Sequence, residues 1–283
     1  MNHSRASILA TAAVVVGLLV PPAAAAPGDL DPTFGDGGVV LEGTANGPDQ
    51  ALGVVVQGDG RIVAVGYASG VTGTRASVAR YLADGTLDAG FGAGGVLRVD
   101  WGSRNSRAHA IALQPDGRLV VGGFTGDGSG SSFALLRLNA DGSLDTAFGT
   151  GGRVVTAFPG GASGILGLAI QADGRIVAIG YAASGGAPSS IAFAMARYLA
   201  NGTLDATFGT AGLVVDDVTT SSDFAYRAAL QADGRIVVAG SVTYAGTSTD
   251  FTLARYLATG ALDTSFGTAG RVTIDLELNK NLK

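Results

Sequence analysis

The sequence predicts an all-β fold, a tandem array of about four four-stranded units, and three recurring phrases predict it. The first reads LDPTFGDGG, LDAGFGAGG, LDTAFGTGG, LDATFGTAG and LDTSFGTAG, centred on Phe34, Phe91, Phe148, Phe208 and Phe266. These phenylalanines lie 57, 57, 60 and 58 residues apart. The second reads QGDGRIVAVG, QPDGRLVVGG, QADGRIVAIG and QADGRIVVAG, with Arg61, Arg118, Arg175 and Arg235 in one slot. The third reads ARYLADG, LRLNADG, ARYLANG and ARYLATG. A fixed period of this size marks an architecture in which each unit buries its apolar face on its neighbours.

Residues 1–26 stand outside the array. Arg5 precedes an apolar run from Ile8 to Val20, and PPAAAAP supplies small residues for cleavage after Ala24 or Ala25. This is the pattern of a secretory signal peptide, which places the product outside the cytoplasm, secreted or extracytoplasmic. The run is shorter than the ~17–25 residues of a spanning helix, so no membrane span is expected after processing. The chain has no cysteine, so no disulfide framework is available and stability must come from core burial.

Residues 27–276 carry the repeats, and the second unit shows how one is built. His109–Gln114 runs into Asp116-Gly117, and Arg118–Phe124 follows. Asp-Gly between two apolar runs is a strong hairpin signal. A loop over 125–131 leads to a third strand at Ser132–Asn139, and Asp141-Gly142 makes a second turn. The LDTAFG phrase then leads to a fourth strand at Gly152–Ala157. Four short strands per unit match a propeller blade, which gives a β-propeller-like array of about four four-stranded blades. RIVAVGY and its copies are apolar on both faces, as a strand between neighbouring blades must be. Gly66, Gly123, Gly180 and Gly240 inside that strand signal a bulge or a close backbone approach near the axis. The repeated phenylalanine is expected to fill the gap between blades.

Insertions collect in one place. From each LDxxFG phenylalanine to the next DGR arginine is 27 residues in all four units. From the in-strand glycine to the third-strand arginine is 14, 14, 17 and 15, so the loop between strands two and three takes every insertion. Strand parity puts both Asp-Gly-type turns at one end of a blade. The variable loops and interblade links share the other end. The ends of the array are unequal: five LDxxFG phrases accompany four QxDGR phrases, which leaves one extra terminal strand. Gly38–Glu42 and Gly270–Leu276 occupy one slot of the repeat and are expected to compete for it, with the N-terminal segment taking or flanking the place. Residues 277–283 form a charged tail.

These phrases at this period resemble the delta-60 repeat family, a bacterial propeller-type repeat of exported proteins. The resemblance runs from Asp29 to about Asp275 and implies a propeller-like fold outside the cytoplasm. It implies no catalytic residues.

Composition narrows the chemistry. The net charge is −5, the lysines are Lys280 and Lys283 alone, and no basic stripe suits a nucleic-acid partner. Beyond the signal peptide the histidine supply is His109 alone, which excludes a multi-histidine zinc site. No G-x-S-x-G elbow and no thiol nucleophile are present. The aspartate content raises calcium, with Asp216, Asp217 and Asp223 clustered at one link. The DxDxDG and GGxGxD runs are absent, and no cofactor is expected. Asp31, Asp88, Asp145, Asp205 and Asp263 recur with Arg80, Arg137, Arg197 and Arg255 in register, which favours turn capping and ion pairing over a ligand ring. The segment Asp100–His109 stands apart. It holds the single tryptophan, Trp101, two arginines outside the repeat, Arg104 and Arg107, and His109. Read as an exposed link, it offers a ligand contact; the alternative is that Trp101 covers the end of the core. The reading adopted is an exported, non-catalytic binding or structural module that presents its variable loops. Its partners would be a cell-surface glycan, a peptide or another copy of itself. The rival is a hydrolase using aspartates in the central cleft.

Overall fold

This computed structural model describes residues 28–41, 49–70, 73–99, 101, 105–127, 130–184, 190–244 and 249–274. The expected signal peptide and charged tail lie outside them, as does Arg104. No helix among the described residues is long and apolar enough to cross a membrane.

The described chain forms four antiparallel four-stranded sheets, each with its strands in sequence order. The first blade is β1 (Gln50–Val56), β2 (Ile62–Gly70), β3 (Gly73–Tyr81) and β4 (Val96–Val99); the second is β5 (Asn105–Leu113), β6 (Leu119–Gly126), β7 (Ser131–Leu138) and β8 (Arg153–Thr156). The third is β9 (Ser163–Ile170), β10 (Ile176–Ala183), β11 (Ile191–Tyr198) and β12 (Leu213–Asp216); the fourth is β13 (Phe224–Leu230), β14 (Ile236–Thr243), β15 (Thr249–Tyr256) and β16 (Arg271–Ile274). The predicted array of four four-stranded blades is the fold. First strands pack on first strands, β1 on β5, β5 on β9 and β9 on β13, so they are the innermost layer.

The Asp-Gly turns close as their residue types require. In the first, the Gly60 N–H reaches Gln57 O at 3.0 Å and the Asp59 carboxylate accepts the Arg61 N–H at 3.1 Å. Gly60 sits at φ 84°, where a side chain would be strained.

The bulge signalled by the in-strand glycines lies on the neighbouring strand. Each innermost strand slips register once, around Leu52, His109, Leu166 and Tyr226. The slip pushes a carbonyl of the bulged strand into the glycine opposite. A Cβ on Gly66 would sit 1.8 Å from Gln50 O, and one on Gly123 would sit 1.8 Å from Arg107 O. The glycine exists because the bulge exists.

Three apolar cores hold four blades together. The first joins Val63, Val65, Val78 and Phe91 to Leu119, Leu136 and Leu138. The second joins Phe133, Leu135 and Phe148 to Ile176, Ala196 and Tyr198; the third joins Phe193, Met195 and Phe208 to Ile236, Val238 and Tyr256. Each links one blade to the next in sequence. Among the described residues no such core joins the fourth blade to the first.

The terminal strands resolve differently from the expected competition. β16 pairs with β15 as the outer strand of its own blade. Residues 28–41 form turns and a single bridge, Asp36 to Val39, and no strand. The one place beside β15 is filled by β16, so among the described residues the N-terminal segment has no third strand to pair with.

Candidate functional site

The two ends of each blade carry different chemistry, and the repeated end is a structural clasp. In the third blade Asp205 accepts from Arg197 Nε at 2.8 Å and pairs with Arg175 Nε at 3.0 Å. Its other oxygen caps the turn through the Thr207 N–H at 3.1 Å and hydroxyl at 2.6 Å. The Arg197 guanidinium lies 4.6 Å above the Phe208 ring and donates onward to Ala258 O of the next blade. Arg80 over Phe91, Arg137 over Phe148 and Arg255 over Phe266 repeat the stacking at 4.6–4.7 Å. The carboxylates are held down by these donors. For Asp205 the Thr207 hydroxyl leads, followed by the turn amide and Arg197, and the value falls to about 2. Every charge of the clasp is already matched within the fold.

The three clustered aspartates are engaged as well. Asp223 is buried and accepts the Val218 and Thr219 N–H groups at 3.0 and 2.8 Å, with the Thr219 hydroxyl at 2.7 Å. Asp217 accepts the Ser190 hydroxyl at 3.2 Å. Asp216 accepts from the Tyr256 hydroxyl and Arg271, tying the third blade to the fourth. Among the described residues no cluster of three His, Asp or Glu side chains is placed to hold a metal ion.

The other end holds side chains that break the repeat. Asn105–Leu113 is strand β5, so Arg107 and His109 belong to the innermost layer and not to an exposed link. The bulge at His109 breaks the alternation that would have shown this in the sequence. His109 lines a cleft of about 560 Å³ among the first strands, with Leu52, Ile111, Leu168 and Arg227. Its ring lies 5.7 Å from that of Phe124. Burial leads, with the charges of Arg107 and Arg227, in holding His109 down to about 4, so the imidazole is neutral near neutral pH. Its Nε2 is enclosed without a hydrogen-bond partner in the protein.

Around this bulge runs a belt of aromatic rings and arginines. The Arg107 guanidinium lies 4.3 Å over the Tyr67 ring and 6.0 Å from Phe124. Tyr181 meets Phe224 edge-on at 5.4 Å, and Phe224 stacks with Tyr226 at 6.3 Å. Tyr226 is exposed, and Arg227 reaches across to Leu166 O at 2.7 Å. Sequence reasoning named Arg107 and His109 but missed Tyr67, Phe124, Tyr181, Phe224 and Tyr226. The available signal was the bulge slot itself, which reads Leu52, His109, Leu166 and Tyr226. No carboxylate stands among the cleft-lining residues.

Trp101 lies elsewhere. It is 8% exposed, belongs to the core between the first two blades, and donates its indole N–H to Leu135 O at 3.2 Å. Of the two readings the sequence left open for Trp101, ligand contact or cover for the end of the core, its burial fits the cover. Packing against the second blade satisfies both its apolar body and its polar tip.

A family model described as a domain of unknown function (DUF5122) beta-propeller matches residues 57–91, 114–148, 171–208 and 231–266, together just over half of the chain. No curated protein matches in sequence. Among solved structures, one titled as a novel alpha-L-arabinofuranosidase of Clostridium thermocellum aligns at 11% identity and a TM-score of 0.40. That alignment covers 85% of this chain and 76% of that one.

Proposed function

The chain belongs to the DUF5122 β-propeller family, and we propose that it is an exported, non-catalytic binding module that takes a glycan on the aromatic and arginine belt of its first and second strands. One observation carries the reading. The side chains that break the repeat stand together on the first strands: His109 and Arg227 line the cleft, Arg107 lies over Tyr67 and Phe224 stacks with Tyr226, while the repeated charges are consumed in the clasps. Flat rings suit the apolar faces of sugar units, and guanidinium groups donate to their hydroxyl or carboxylate oxygens. Export rests on the N-terminal pattern and on the delta-60 resemblance.

A hydrolase using paired aspartates needs two carboxylates flanking the scissile bond. The cleft-lining residues supply none, so the binding reading is preferred. The test is a glycan and peptide array probed with the mature protein, with and without calcium, beside the Arg107→Ala variant. Capture of a glycan by the native protein and its loss in the variant is expected. Capture of peptides alone would reassign the ligand class. Capture that survives Arg107→Ala unchanged would remove the belt as the seat.

A further inference from the structure

We propose that the open face of the fourth blade seats on the open face of the first blade in a second copy of this chain. Every interblade core joins the same two kinds of face. One carries Ala76, Phe133 or Phe193 on the third strand; the other carries Leu138, Tyr198 or Tyr256. The fourth blade keeps a face of the first kind uncovered. Phe251 occupies the slot of Phe133 and Phe193, which are 0% and 1% exposed, yet it is 46% exposed. Ile274 beside it on β16 is exposed as well. The first blade keeps a face of the second kind that no blade covers among the described residues. Ile62, Ala79 and Tyr81 are half-buried where Leu119, Leu136 and Leu138 are fully buried. A cavity of about 690 Å³ opens over Ala64, Ala79, Tyr81 and Val96.

The polar contacts point to the same pairing. Arg80, Arg137 and Arg197 each donate Nη1 to a carbonyl of the following blade, at Ala140, Ala200 and Ala258. Arg255 keeps the ion pair with Asp263 and the stacking on Phe266, but no following blade supplies its carbonyl. Its side chain is 21% exposed, against 8–10% for the other three. The equivalent acceptor slot on the first blade is Ala83 O. The missing donor and the missing acceptor thus sit on the two uncovered faces. The faces differ from each other, so the contact is heterologous: two copies can close a ring, or further copies can continue as a filament.

The N-terminal segment guards the seat. Gly92, Gly149 and Gly209 donate to Asp141 O, Asn201 O and Thr259 O of the following blade, and Gly35 makes the same bond to Asp84 O of the first blade at 2.8 Å. Residues 28–41 therefore hold one corner of the seat with a copy of the phrase that an incoming blade would bring. The segment is largely exposed, and Leu41 is 90% so. Its hold is slight, and displacement by Phe266-Gly267 of a second copy completes the seat.

Sedimentation velocity on the full chain over a concentration series tests the proposal, beside Phe251→Asp and a variant lacking residues 28–41. Average mass is expected to rise with concentration. Phe251→Asp should weaken association by about tenfold or more, the cost of losing one central aromatic anchor. Removing residues 28–41 should strengthen it. The chain has no cysteine, so in a mixture of Ala83→Cys and Arg255→Cys proteins a short bismaleimide, which spans the length of the arginine side chain it replaces, should cross-link the two kinds of copy and join neither efficiently alone. That mixture decides the matter even if Phe251→Asp misfolds. A chain that stays monomeric with and without residues 28–41, or a mixture that gives no cross-linked dimer, would overturn the proposal.

Discussion

Replacing Phe148 with alanine isolates what a following blade contributes, because Phe266 is the same residue in the same phrase without one. Phe148 is fully buried, with Arg137 4.7 Å from its ring on one side and the Gly202 backbone of the next blade on the other. The closeness is visible at Gly202, where a Cβ would lie 2.9 Å from the ring. Removing such a side chain loses its transfer free energy and leaves a cavity, at a cost of about 3–5 kcal/mol. Phe266 keeps the stacked arginine, again at 4.7 Å, but is only partly buried. Its truncation opens no enclosed cavity and forfeits about two thirds of a ~1.5–3 kcal/mol burial, about 1–2 kcal/mol. The arginine stacking is common to both, so the difference of about 1–4 kcal/mol belongs to the next blade. Urea denaturation should show it as a lower midpoint for Phe148→Ala at unchanged slope. Calorimetry should show a loss of roughly 6–20 °C against 2–8 °C. Equal costs at the two positions, measured at dilutions where the protein is monomeric, would refute the reasoning.

The same geometry has other consequences. Gly123→Ala forces a Cβ into Arg107 O and should cost at least about 1–3 kcal/mol, whereas Gly58→Ala, with open space around it, should be nearly silent in the same denaturation assay. Trp101→Ala should lower the melting temperature markedly, as a core truncation of about 3–5 kcal/mol. As the only tryptophan, Trp101 should emit at the blue wavelengths of a buried indole in the native protein. The clasp carboxylates set the acid limit. The folded value of Asp205 is depressed to about 2, below the ordinary 3.8. Its contribution is present above about pH 4 and is lost as pH falls through about 2. Asp205→Asn should flatten the fall in melting temperature between pH 4 and pH 2.

The fold was legible because its determinants are local and repeated. Asp59-Gly60 and its copies state the hairpins, and the paired Arg80 and Asp88 slots announce a clasp through their register alone. Repetition also told the functional candidates from the structural ones, since a residue present in every unit serves what every unit needs. The bulge was half-legible. Gly123 signalled a close approach, but the residue causing it, His109, lies on the partner strand and carries no mark of its own. Trp101 was legible only as a choice between ligand contact and core cover, because a lone aromatic in a stretch of small and polar residues can be either. Its burial depends on Leu135, more than thirty residues away. The belt escaped notice because Tyr67, Tyr181 and Phe224 are ordinary strand residues until the blades bring them side by side. The uncovered faces were equally hidden. Phe251 and Phe193 both stand shortly before an ARYL phrase, and they differ in that no blade packs over Phe251.

Binding without turnover at the belt is tested most directly by titrating the strongest array-captured glycan into the mature protein and then recovering it for mass analysis. A saturable complex is expected, weakened by about tenfold or more when Tyr226 or Arg107 becomes alanine. The clasp variant Arg118→Ala should leave binding unchanged, and the glycan should be recovered intact. Recovery of cleaved glycan from the native protein, or binding indifferent to both belt substitutions, would contradict it.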